Sequence, residues 1–186
     1  MAPRHQRASV SIARPIGTLL VGAVVALALG GYARLHQPTG LAVTTFGFSG
    51  TLQMKAWLTT AALALAAFQG VSALWMYGRL GSLAAPSWLG TAHRVSGSVA
   101  FLLTVPVAFH CLWSLGFATY GARTTAHSLL GCLFYGAFAA KMLALRDRHG
   151  PRWLLPVLGG SLLTMLTGLW VTASLWFFTQ VRTPLF

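Results

Sequence analysis

The chain has 186 residues, 56% of them hydrophobic and 8% charged, with a mean hydropathy of +0.70. Soluble domains carry about 25% charged residues, so a water-soluble globule is excluded. Thirteen Lys and Arg face a single acid, Asp147, for a formal net charge of +12. One carboxylate cannot build paired-acid hydrolysis, an acid-rich Mg²⁺ or Ca²⁺ site or an Asp/Glu proton relay. The cations stand singly or in short groups between long uncharged stretches. That pattern implies a polytopic membrane protein and no nucleic-acid partner. Both cysteines, Cys111 and Cys132, lie in apolar runs and read as buried free thiols.

A bilayer-spanning helix needs about 20 mostly apolar residues. Five segments qualify, at about 15–33, 56–78, 91–116, 122–145 and 153–181. The expected fold is all-α, a polytopic helical bundle with five transmembrane helices and helices 2–5 as its core. The segment 15–33 also resembles a signal peptide, with Arg4, Arg7 and Arg14 ahead of an apolar run. Its uncharged core exceeds the 7–15 residues of a signal h-region, so a retained helix is expected. Residues 1–14 form a basic N-terminus and 182–186 a short tail. The largest connection, Arg34 to Lys55, is rich in Gly, Thr and Phe and reads as an ordered flap or re-entrant turn.

Cations on alternate sides of the five spans are unequal. Arg4, Arg7, Arg14, Arg79, Arg94, Lys141, Arg146, Arg148 and Arg152 fall on one side, and Arg34, Lys55, Arg123 and Arg182 on the other. The positive-inside rule places the protein in the cell membrane with its N-terminus cytoplasmic and its C-terminus extracytoplasmic. Trp75, Tyr77, Trp88 and Trp153 would line the inner interface, and Tyr32, Trp57, Trp113 and Tyr120 the outer one.

Three of six histidines, His93, His110 and His127, fall within spans, where ionisable residues are functional candidates by default. Each also has an ordinary reading as interhelical hydrogen-bond glue. His110 and His127 are 17 positions apart, and Gly116 and Gly121 bracket their midpoint as turn signals. A hairpin turning there sets both about 12 Å below the turn. Equal depth on consecutive helices is what two axial ligands of one haem iron require. Arg123 and Gly131 lie four residues either side of His127 on the same face. Arg123 would neutralise a propionate or act as an interfacial cation. Gly131 would admit a flat macrocycle or favour tight packing, as would Gly97 beside His93. His93 lies about 25 Å from His110 along its helix, so a second site would draw on His93 and Met142, with Met76 as another candidate. His5 and His36 read as solvent or interface residues. Adjacent residues on a helix diverge by about 100°, which argues against a zinc or copper site built on His110-Cys111. Gln69, Thr164, Thr167 and Thr172 would bond a quinone head group or their own backbone.

The runs His93-Arg94-Val95-Ser96-Gly97, Val105 to Trp113, and His127-Ser128-Leu129-Leu130-Gly131-Cys132 carry a resemblance. Together with Ser72 to Arg79, they look like a small family of actinobacterial integral membrane proteins with a domain of unknown function. More distantly, in pattern alone, helices 3 and 4 resemble transmembrane b-type cytochromes. Those usually draw two histidines per haem from four; this chain offers three, and none in helices 2 and 5. The resemblance therefore implies at most one b-type haem, ligated by His110 and His127. The expected function is a membrane electron-carrier subunit rather than a stand-alone enzyme, partnered by an extracytoplasmic redox protein or a quinol in the bilayer. The alternative is a haem-free anchor or assembly subunit of a redox complex, its histidines serving helix packing.

Overall fold

In a computed structural model, residues 13–81, 84–147 and 150–181 are described. The basic residues Arg4, Arg7, Arg148 and Arg182, with His5 and His149, lie outside them. Five helices account for nearly all of this chain: α1 (Ala13–Leu35), α2 (Thr51–Met76), α3 (Leu89–Leu115), α4 (Ala122–Arg146) and α5 (Leu154–Gln180). Each is long and apolar enough to cross a bilayer, and no strand occurs among the described residues. Their outer surfaces are apolar: Leu27 is 74% and Leu102 64% exposed. A soluble protein would hide such residues; a bilayer welcomes them.

The helices are neighbours in the order α1, α4, α5, α2, α3. Helix α1, which the sequence sets outside the core, packs along α4. A side chain on Gly22 would stand 2.7 Å from the Gly136 carbonyl and 3.0 Å from Ala140 Cβ, so the two backbones touch because neither helix has a side chain there. Helices α3 and α4 are consecutive, yet their backbones do not pack together. Side chains bridge them instead. Phe101 stacks on Phe138 at 3.7 Å between ring centroids, and the Tyr135 hydroxyl donates to Thr104 Oγ1 at 2.9 Å.

Segment 36–50, between α1 and α2, is a strap laid against the end of α3. The Thr39 and Gly40 amides donate to the Trp113 and Ser114 carbonyls at 3.2 and 3.1 Å, and Ser114 Oγ donates to the Leu41 carbonyl at 2.6 Å. His36, of the solvent and interface readings, takes the interface one and is half-buried. Its ring lies between Tyr32 and Trp113, with centroids 5.0 and 4.7 Å away. Helix α3 stops at Gly116, where φ is +67° and a side chain would stand 3.1 Å from both the Ala33 carbonyl and Pro38. Glycine alone suits that backbone and that gap. The end of the bundle holding this segment is called the strap end below.

Two helices depart from α geometry at the strap end. Cys111–Leu115 closes α3 as a π-helix, and Trp170–Leu175 is a π-helix inside α5. π-Helix makes up well under 1% of residues in proteins and appears frequently at functional sites.

Candidate functional site

Both π segments contribute walls to one cavity of about 380 Å³ in the strap-end half, within the usual range for small-molecule sites. The space exists because α3 and α4 stand apart and the π turns widen α3 and α5 around it. Tyr135 and Thr104 lie in its wall towards the middle of the bundle; Lys55, Arg123 and Trp176 line it towards the strap end. The rest is mostly aliphatic and aromatic, with Cys111 and Cys132 also in the wall.

His127 lines this cavity, and its hydrogen bonds define which ring nitrogen carries the proton. Thr172 Oγ1 has one proton to give. It stands 2.7 Å from the Gly168 carbonyl and 2.9 Å from His127 Nδ1. A carbonyl only accepts, so the hydroxyl proton goes to Gly168 and Nδ1–H donates to Thr172. In the neutral ring Nε2 is then the bare nitrogen, and it makes no hydrogen bond among the described residues. The threonine acts as the ring's orienter, as a carboxylate or carbonyl does behind a metal-bound imidazole. Thr172 sits one turn along from Gly168 in α5, where back-bonding to its own helix is the ordinary behaviour of an intramembrane threonine.

Arg123 and Gly131 line the same cavity. The Arg123 guanidinium donates to the Thr172 carbonyl at 2.6 Å and lies 4.3 Å from the Trp176 ring centroid. At Gly131 an added Cβ would come no nearer than 3.9 Å to Leu169, so this wall is open. Three of the four residues read from the sequence as one site therefore share one space.

His110 does not. It is 2% exposed and is absent from the cavity wall. Its Nδ1–H donates to the Pro106 carbonyl at 2.9 Å, and its Nε2 accepts the Val43 and Thr44 amides at 3.3 and 3.4 Å. The ring fastens the strap to α3. The physical reason is azimuth. Thr104 and Cys111 face the cavity, and at about 100° per residue His110 lies roughly 120° round the helix from Thr104.

At the other end, His93 and Met142 are not brought together. Nδ1 of His93 bonds Ser72 Oγ at 2.7 Å, while Met142 is exposed on the outer surface. The space beside Gly97 is filled by Gln69, whose Oε1 would be 2.8 Å from a Cβ there and whose Nε2 donates to the His93 carbonyl and to Ser96 Oγ. Among the described residues no three His, Cys, Asp or Glu side chains converge to hold a metal ion.

Among the polar and aromatic cavity residues described above, Lys55 entered the sequence reading only as a boundary cation, and Thr104, Tyr135 and Trp176 did not enter it. The signal that could have found Lys55 is its spacing. It lies four residues before Thr59 and one before Ala56, both of which face the interior of α2.

The fold and cavity define a five-helix bundle of membrane-spanning character with a half-open site towards one end. The chain belongs to a family of unknown function, DUF6529, whose model matches residues 15–185. No curated protein and no solved structure matches it.

One imidazole with a bare nitrogen in a mostly apolar wall, a glycine with room for a flat ring beside it and two cations suit a b-type haem. Paired ligation by His110 and His127 does not fit, because His110 Nε2 is turned to the strap.

Proposed function

We propose that this protein is an integral membrane subunit that binds one b-type haem between α3 and α4 and takes part in electron transfer. The observation that carries the reading is the bare Nε2 of His127, whose ring Thr172 holds in the wall of a mostly apolar cavity. When bound, haem supplies one-electron redox chemistry. The chain's own residues would bind and orient it. His127 would be the single imidazole ligand, Thr172 would fix the ring's tautomer, Arg123 and Lys55 would meet anionic edges, and the aliphatic walls would exclude water. His93 and His110 serve packing in this reading. The cation imbalance supports the strap end as the extracytoplasmic side of the cell membrane, where a redox protein, or a quinol in the bilayer, would exchange electrons.

A second reading, a haem-free anchor or assembly subunit of a redox complex, rests on the same two histidines: His93 and His110 both act as hydrogen-bonding links between segments.

Visible spectra of the detergent-purified protein, oxidised and dithionite-reduced, decide between them. The expected result is a sharp reduced α-band that is lost in His127→Ala and kept in His110→Ala. A colourless, folded preparation from haem-replete cells would overturn the haem reading. A band that disappears in His110→Ala and survives in His127→Ala would overturn the ligand assignment.

A further inference from the structure

Lys55 is out of place by ordinary rules. It is the fifth residue of α2 and Arg123 the second of α4, and neither helix has an acid in its first turn. Helix N-termini carry the positive end of the macrodipole, where cations are disfavoured. Both helices point that end towards the cavity, and both cations line it. Arg123 is held by the Thr172 carbonyl and the Trp176 face. The half-buried Lys55 ammonium makes no hydrogen bond and no ion pair among the described residues, and it shares the cavity wall with His127 and Cys111. No internal carboxylate can answer it. The only acid, Asp147, follows α4 at the far end, about 37 Å away along a helix of 25 residues.

We infer that the cavity's ligand is anionic, an apolar molecule whose carboxylates sit between Lys55 and Arg123. The chemistry is that of charge-assisted hydrogen bonds in a water-poor setting, which are stronger than neutral ones. The apolar wall takes the body of the ligand, and the two cations fix which end faces the strap. The inference names the ligand class of the site proposed above. It rests on that reading for the cavity alone and does not require iron. A porphyrin with its propionates and a long-chain fatty acid both carry the required group, and their methyl esters lack it.

The test is a fluorescence titration of the detergent-purified chain with metal-free protoporphyrin IX and with its dimethyl ester. The same titrations are repeated on Lys55→Met, Lys55→Arg and His127→Ala, and oleate and methyl oleate serve as competitors. The diacid should bind at least about tenfold more tightly than the diester. Lys55→Met should remove that preference and leave diester binding unchanged, and Lys55→Arg should restore most of it. His127→Ala should change diacid and diester binding by the same factor and keep the preference between them, so a failure of iron ligation reads out separately. Binding of oleate, but not methyl oleate, in a Lys55-dependent manner without any porphyrin binding would uphold the anionic site and remove the haem. Equal affinity for diacid and diester, or an equal loss of both in Lys55→Met, would overturn the inference.

Discussion

The two ends of this bundle are packed on different principles. Away from the strap, polar side chains close onto neighbouring helices: Gln69 reaches two groups on α3, Ser72 ties His93, and α1 meets α4 at Gly22 and Gly136 with no room for a methyl group. At the strap end, α3 and α5 relax into π turns around a cavity, and His127 Nε2 and the Lys55 ammonium are left without protein partners among the described residues. Ser174 Oγ, buried and without a partner among the described residues, lies in the same π segment. The difference sets the unsatisfied groups apart at one end of the helix axes, the arrangement expected if that end holds a ligand.

The sharpest way to break that comparison is to add bulk to a glycine at each end. Gly22→Val drives a side chain into the Gly136 carbonyl and Ala140. Overpacking of this kind costs about 3 kcal/mol, and the expected outcome is a lowered thermal midpoint with loss of monodispersity in detergent. Gly131→Leu adds more atoms at a wall whose nearest neighbour to an added Cβ is 3.9 Å away. It should change stability by less than about 0.5 kcal/mol while weakening porphyrin binding at least about tenfold. Equal destabilisation by the two changes would erase the distinction between the ends.

A smaller effect is expected at the strap. His110→Phe removes the acceptor of the Val43 and Thr44 amides but keeps an aromatic ring in the buried position. Loss of a bond worth about 1.4 kcal/mol corresponds to hydrogen exchange at those two amides about tenfold faster, with the haem spectrum retained. Unchanged exchange would mean that the contacts of Thr39, Gly40 and Leu41 with Trp113 and Ser114 hold the strap by themselves.

The five spans were legible because uncharged length is a coarse and robust signal. The error at α2 is instructive. Lys55 reads as the edge of a span, but the helix starts at Thr51 and the lysine lies within it, facing the cavity. A cation marks a boundary only when nothing inside needs it. At the site, depth was legible between helices and azimuth only within α4. Arg123, His127 and Gly131 share a face through their spacing of four, whereas the 17 residues from His110 to His127 fix height alone. The strap that captures His110 joins positions 66 and 67 residues apart, a contact without period. The π turns and the fit of Gln69 beside Gly97 likewise depend on tertiary packing and leave no mark in the hydrophobic pattern.

The smallest predicted effect tests the seam between the two ends. Tyr135 donates to Thr104 Oγ1 across α3 and α4, and its ring packs edge-on against Phe101 with centroids 5.7 Å apart. Tyr135→Phe deletes the hydroxyl and leaves the ring. Thr104 still donates to its own Phe101 carbonyl at 2.7 Å, so no donor is orphaned. Interhelical hydrogen bonds in membranes average about 0.6 kcal/mol, and a loss of that size is expected in unfolding measurements. Thr104→Val should cost a similar amount, and the double mutant little more than either, because both remove the same bond. A coupling above about 1.5 kcal/mol would exceed most such bonds. It would make the bridge at the cavity wall, rather than the packing away from the strap, the element that holds α3 to α4. The contrast between the two ends would then fail at its boundary.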